Sequence, residues 1–254
     1  MEFLSEMETL LNCRPLRPDA RIRLFCFPWA GGGTNFYANW SKVLPQSIEV
    51  CAIRLAGRES RFKDKLCSDM STAVAEIANT LIPKFQSKPF AFFGHSMGAA
   101  LAFEVSCYLK KYYGLQPVHL FVSGFTSPQS AARRIKTDWM KMSDEEFVES
   151  VRRIGGTPEE VLSNRDLMKI FMPPLRADFH LIQHYEYDLP EGAPPLSCPV
   201  SFTDGDKDKP HDIPGWSDIT SGEFSNFIMP GGHFYLQEKE NGNQLMQYIA
   251  KKIL

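Results

Sequence analysis

The order of apolar and polar stretches along the chain predicts a sheet interleaved with helices. Runs rich in β-branched and aromatic residues recur at 21–27 (RIRLFCF), 48–54 (IEVCAIR), 89–94 (PFAFFG), 118–123 (VHLFVS), 199–203 (PVSFT) and 226–229 (NFIM). Helical stretches are predicted between and after them, at 34–44, 71–85, 97–112 and 241–253. Short apolar strands alternating with longer helices predict an α/β architecture, with a parallel sheet covered on both faces. From about Pro128 to Asp188 the alternation stops and only helices are predicted, at 143–154, 158–163 and 164–187. The first opens on the capping-box pair Ser143 and Glu146, and Pro173-Pro174 is expected to end or kink the last. The expected organisation is one domain over 1–254, with residues 128–188 inserted as a helical lid over the C-terminal edge of the sheet.

Composition narrows the classes that such a fold can serve. With 28 Lys+Arg against 30 Asp+Glu the net charge is −2, so no basic face is expected and nucleic acid is excluded as a partner. Hydrophobic residues at 43% exclude wholesale disorder, and no apolar run reaches the ~18 residues of a membrane span. Glu2, Glu6 and Glu8 interrupt the first residues, so no secretory signal is expected. The six cysteines, at 13, 26, 51, 67, 107 and 198, are scattered without a C-x-x-C pair. A reduced, cytosolic protein without metal or cofactor is the expectation, and a monomer.

Chemistry first surfaces at Gly94-His95-Ser96-Met97-Gly98. This G-x-S-x-G follows an apolar strand and precedes a long helix, the setting of a nucleophile elbow. There the central residue is strained, side chains at the flanking positions would clash, and the helix N-terminus favours developing negative charge. Ser96 is therefore the candidate nucleophile. It needs a base, and the base an orienting group, expected downstream in the order acid then histidine. After 199–203 comes Asp204-Gly205-Asp206-Lys207-Asp208, and after 226–229 comes Pro230-Gly231-Gly232-His233. Both lie past strand C-terminal ends, where an α/β sheet places its chemistry. His233 is the candidate base. Among the other histidines, His95 points away from the serine by strand alternation, and His119 lies in a strand. His180 and His184 lack the intervening Glu of a metalloprotease helix, which leaves His211 as the competitor. Asp208, at the end of a G-x-x-D turn, is preferred as acid, with Asp206 the alternative. Backbone donors for an oxyanion are expected from Met97 N–H and, in the glycine-rich loop 27–34, from Ala30 N–H. That loop has neither the Lys-Ser/Thr of a phosphate loop nor G-x-G-x-x-G.

Six motifs in order, FPWAGGG (27–33), LAGRESR (55–61), FFGHSMG (92–98), GGTPEEV (155–161), PPLRADF (173–179) and PGGHFYL (230–236), carry a family likeness. The chain resembles the type II thioesterases of the α/β-hydrolase superfamily, and within them the medium-chain thioesterases that serve fatty acid synthase. Ala56 departs from the family, which usually has proline there. The resemblance implies an α/β-hydrolase fold, Ser96, Asp208 and His233 as a triad, and Ala30 and Met97 as oxyanion donors. It further implies hydrolysis of acyl chains from the phosphopantetheine of the acyl carrier protein domain of fatty acid synthase. A carboxylesterase or lipase would share the triad and is the alternative. Apolar residues of the insert, among them Met142, Phe147, Val151, Ile154, Leu175, Phe179 and Ile182, could line an acyl channel or simply bury the helices. Arg176 and Asp178 are expected to pair within the insert. Lys110-Lys111, Arg133-Arg134 and Arg152-Arg153 could equally meet an acidic carrier or lie on solvated helix faces.

Overall fold

The computed structural model describes residues 8–67, 69–134 and 138–254, with the side chain of Arg134 also outside the description. Glu2 and Glu6 therefore lie outside the described residues. Six strands follow the predicted runs: β2 (Ile22–Phe27), β3 (Ile48–Ile53), β4 (Phe90–His95), β5 (Leu120–Ser123), β6 (Val200–Gly205) and β7 (Phe224–Met229). A seventh, β1 (Leu11–Asn12), pairs antiparallel with β3 and was not anticipated, since two residues cannot show a period. The sheet order is β1-β3-β2-β4-β5-β6-β7, and every pair beyond β1 is parallel.

Burial explains why the strands read as unbroken apolar runs. Every residue of β2, β3, β4 and β6 is buried, because helices cover both faces. Successive side chains of β2 divide between them. Phe25 and Phe27 join one core with α2 (Met70–Ser87) and α3 (Met97–Tyr113). Leu24 and Cys26 join the other with α1 (Asn35–Ala38) and α7 (Lys239–Ile253). The helix expected at 34–44 is shorter than predicted. α1 gives way to a 3-10 turn over Asn39–Lys42, which stacks positions three apart, so Tyr37 and Trp40 both reach the core.

Between β5 and β6 lie the insert helices α4 (Asp144–Ile154), α5 (Glu159–Leu162) and α6 (Arg165–His184). Both halves of the Ser143–Glu146 capping box form. Of the two outcomes expected at Pro173 and Pro174, an end to α6 does not occur; the helix runs through both. The lost N–H groups release the carbonyls of Lys169 and Ile170, which belong to exposed residues. Buried Leu175, Asp178 and Leu181 then fix the second half of the helix. No helix among the described residues is long and apolar enough to cross a membrane.

Candidate active site

Register brings the reactive loops together. Phe27 lies opposite Gly94, His95 opposite Ser123, Ser123 opposite Thr203, and Gly205 opposite Met229, so the strands end at one edge. The loops leaving that edge carry Ala30, Ser96, Asp208 and His233. The order reverses between β2 and β4, and at such a switch point an α/β sheet opens a crevice.

Ser96 sits on a sharp turn into α3 with φ 55° and ψ −122°, a conformation that side chains resist. A Cβ on Gly94 would overlap the Gly98 carbonyl, and one on Gly98 would overlap that of Phe27, so both flanks need glycine. Met97 opens α3, where an N–H has no partner within the helix. The loop 29–32 is a tight turn closed by Gly32 N–H to Trp29 O at 2.8 Å. Gly31 at φ 75° in its third position makes it type II.

His233 and Asp208 meet directly, Nδ1 to Oδ2 at 2.6 Å, with side chains 11% and 6% exposed. Lys209 N–H donates to the other Asp208 oxygen at 2.7 Å. Burial alone would raise the Asp208 carboxyl, but the hydrogen bond and charge of His233, with the charge of His211, hold it below its ordinary value. Asp206 is exposed and takes a different place, accepting from Gly231 N–H at 2.9 Å. His211 pairs instead with Asp204, also at 2.6 Å. His95 is fully buried, bonded through Nδ1 to Ser123 Oγ at 2.9 Å, its ring 4.8 Å from that of His233. Burial, then the charges of His233 and His211, hold its imidazole well below the usual range.

Ser96, Met97, Ala30, Asp208 and His233 all line one cavity of about 640 Å³. Trp139, Val151, Ile154, Leu175, Phe179 and Ile182 of the insert line it as well, whereas Phe147 is buried in the insert's own core. A neighbouring cavity of about 490 Å³ shares Trp29, Ala30, Thr157 and Leu175 with the first. A solvated hydroxyl is a poor nucleophile; an imidazole oriented by a carboxylate in the same cavity can activate one for acyl transfer.

One sequence expectation is corrected here. Asp178 does not pair with Arg176. Positions two apart on a helix do not face each other, and Arg176 bonds to Asp144 and to the carbonyls of Trp139, Met142 and Ser143. Asp178 instead meets Arg58. The basic pairs are also partly committed. Arg133 donates to the carbonyls of Ile182 and Tyr185, and Arg152 is held between Glu149 and Glu159. Sequence reasoning missed Glu59, which sits at φ 50° and accepts from Thr34 N–H and Oγ1 at 2.6 and 2.7 Å. Its signal was the acidic residue inside LAGRESR.

A family model described as the thioesterase domain matches residues 22–253. The chain belongs to this thioesterase family, on an α/β-hydrolase fold. It is 40% identical over 244 residues to the medium-chain S-acyl fatty acid synthase thioesterase of Rattus norvegicus, covering 96% of this chain and 92% of that protein. The gramicidin S biosynthesis protein GrsT of Aneurinibacillus migulanus is 36% identical over 256 residues, covering 100% of this chain and 97% of its own length. Among solved structures, the type II thioesterase BorB from the borrelidin biosynthetic cluster superposes with TM-score 0.79 at 30% identity, over 96% of each chain.

Proposed function

We propose that this thioesterase releases free medium-chain fatty acids from the phosphopantetheine arm of the acyl carrier protein domain of a fatty acid synthase. The observation that carries the reading is a single cavity holding Ser96 and the His233–Asp208 pair, walled by apolar side chains of α4 and α6. His233 takes the Ser96 proton as Oγ attacks the thioester carbonyl, while Asp208 holds the imidazole in the tautomer that leaves Nε2 free. The N–H groups of Ala30 and Met97 receive the oxyanion, each worth about 3 kcal/mol in the transition state. The C–S bond breaks, His233 gives its proton to the pantetheine sulfur, and an acyl-Ser96 ester remains. Water, deprotonated by His233, attacks that ester; the fatty acid departs and Ser96 regains its proton.

The helical insert acts in this reading as the lid over the acyl chain. The protein works as a monomer in the cytosol, where its six free thiols stay reduced. Identity to the rat fatty acid synthase thioesterase exceeds that to GrsT, which favours a fatty acyl carrier over a peptidyl one.

The test is turnover of acyl-carrier-protein thioesters of graded chain length, beside aminoacyl thioesters of a peptidyl carrier and a decanoyl oxyester. The expected result is a kcat/KM maximum at medium chain length. Equal or faster turnover of the aminoacyl carrier would overturn the synthase assignment and leave the thioesterase class standing.

A further inference from the structure

Asp178 lies on α6, in the insert, yet its carboxylate closes on the loop that carries Ala30. Its Oδ2 accepts from Gly31 N–H at 2.8 Å. Arg58, from the loop after β3, donates through Nη2 to both oxygens at 2.9 and 2.8 Å. Its Nη1 reaches back to Gly32 O at 2.9 Å. The two side chains are 6% and 8% exposed, so this is a buried, mutually satisfied pair. From two other segments of the chain they hold the turn 29–32 at Gly31 N–H, in its central peptide, and at Gly32 O, where it ends.

The peptide they hold matters. A type I and a type II turn differ by a flip of the central peptide unit, here the one joining Ala30 to Gly31. Its N–H is the group bonded to Asp178. With that acceptor in place the peptide is fixed in its type II orientation, and Gly31 is held at φ 75°. Without it, the central peptide can turn over, changing ψ at Ala30 and φ at Gly31, and the turn from which the preceding peptide's Ala30 N–H projects is no longer held in place. The geometry points to Asp178, seated by Arg58, as a positioning residue that holds the oxyanion turn in the form that presents Ala30 N–H. Because Asp178 belongs to α6, the turn keeps that form only while the insert is seated on it. This inference rests on the reading of Ala30 as an oxyanion donor.

A double-mutant cycle with kcat and KM measured separately tests it. Ala30→Pro deletes the donor while suiting the second position of a type II turn, and a kcat loss of about 10²-fold with little change in KM is expected. Asp178→Ala is expected to lower kcat about 10²-fold, again with KM within about threefold, as a misplacement near 1 Å would. In the double variant, Asp178→Ala should add no more than about threefold to the Ala30→Pro loss, since the group it positions is gone. Multiplying losses, or an Asp178→Ala effect confined to KM, would overturn the assignment. Arg176→Ala, which loosens the same helix without touching the turn, is expected to stay within about threefold; an equal loss there would reassign the effect to insert packing. Should Asp178→Ala not fold by circular dichroism, Asp178→Asn keeps the shape and one acceptor oxygen, and a loss of about tenfold that vanishes on the Ala30→Pro background is expected. Full activity in Ala30→Pro would remove the oxyanion reading itself and the inference with it. A large Ala30→Pro loss beside an inert Asp178→Ala would sink the inference alone.

Discussion

Two histidine–carboxylate pairs draw their carboxylates from one stretch, Asp204 near the end of β6 and Asp208 just past it, and their contacts are equally short. His233 Nδ1 meets Asp208, and His211 Nδ1 meets Asp204, both at 2.6 Å. Their surroundings differ. His233 and Asp208 line the cavity that holds Ser96, and neither His211 nor Asp204 does. The His211 side chain is 1% exposed, and its Nε2 is buried with no hydrogen-bond partner among the described residues. The carboxyls shift in opposite senses. Burial dominates at Asp204 and raises it despite the hydrogen bond from His211, whereas at Asp208 the bond and charge of His233 outweigh burial and lower it. A short imidazole–carboxylate contact is therefore no mark of a catalytic pair. What separates the two is that His233 and Asp208 line the cavity that also holds Ser96, the proposed nucleophile.

The sharpest way to break this contrast is to remove each imidazole. On the proposed role of His233 as base, His233→Ala is expected to lower kcat by about 10⁶, as removing one member of a triad does. His211→Ala strips a buried carboxylate of its partner and is expected to cost about 3–5 kcal/mol of stability. The kcat of its folded fraction should stay within about tenfold. Steady-state kinetics beside thermal melts separate the two, and comparable kcat losses would erase the distinction drawn here.

The carboxyls sharpen it through pH. A carboxyl held below its unfolded value, like Asp208, adds stability that is present above about pH 4 and lost as pH falls through the folded pKa. A raised one, like Asp204, adds stability only at low pH, and that is lost as pH climbs from about 4 through its folded pKa. Relative to the parent chain, Asp208→Asn should lose stability between about pH 3 and about pH 6, and Asp204→Asn should gain it. Denaturant midpoints at the two pH values decide; slopes of the same sign would contradict the opposite shifts. The smallest effect is expected at Asp206, whose side chain accepts from Gly231 N–H and braces the loop of His233 from an exposed position. Asp206→Ala should reduce kcat by no more than about fivefold, consistent with one solvent-exposed hydrogen bond of about 1 kcal/mol.

Much of the molecule was legible where local pattern and tertiary context agree. Strands buried on both faces read as apolar runs, and the Ser96 elbow is a local steric demand that Gly94 and Gly98 meet within five residues. The turn Gly205–Asp208 and the glycines before His233 were enough to nominate those residues, but only the fold separates Asp208 from Asp206 by their partners. The opaque parts depended on contacts distant in sequence. β1 exists because β3 offers it an edge. α6 survives two prolines because its second half is anchored by burial. Asp178 was misassigned because its partner Arg58 is 120 positions away in another motif, and the nearer arginine stands on the wrong side of the helix.

Ser96 holds φ 55° without being glycine. Glycine could occupy that dihedral freely, and the turn would relax, whereas serine holds about 1–3 kcal/mol of backbone strain there. The residue that exposes its hydroxyl is thus the one at which the polypeptide would fold more comfortably with no side chain. Foldability and reactivity pull against each other at this single position, and a search for stabilising substitutions guided by melting temperature alone would be drawn toward disarming the enzyme.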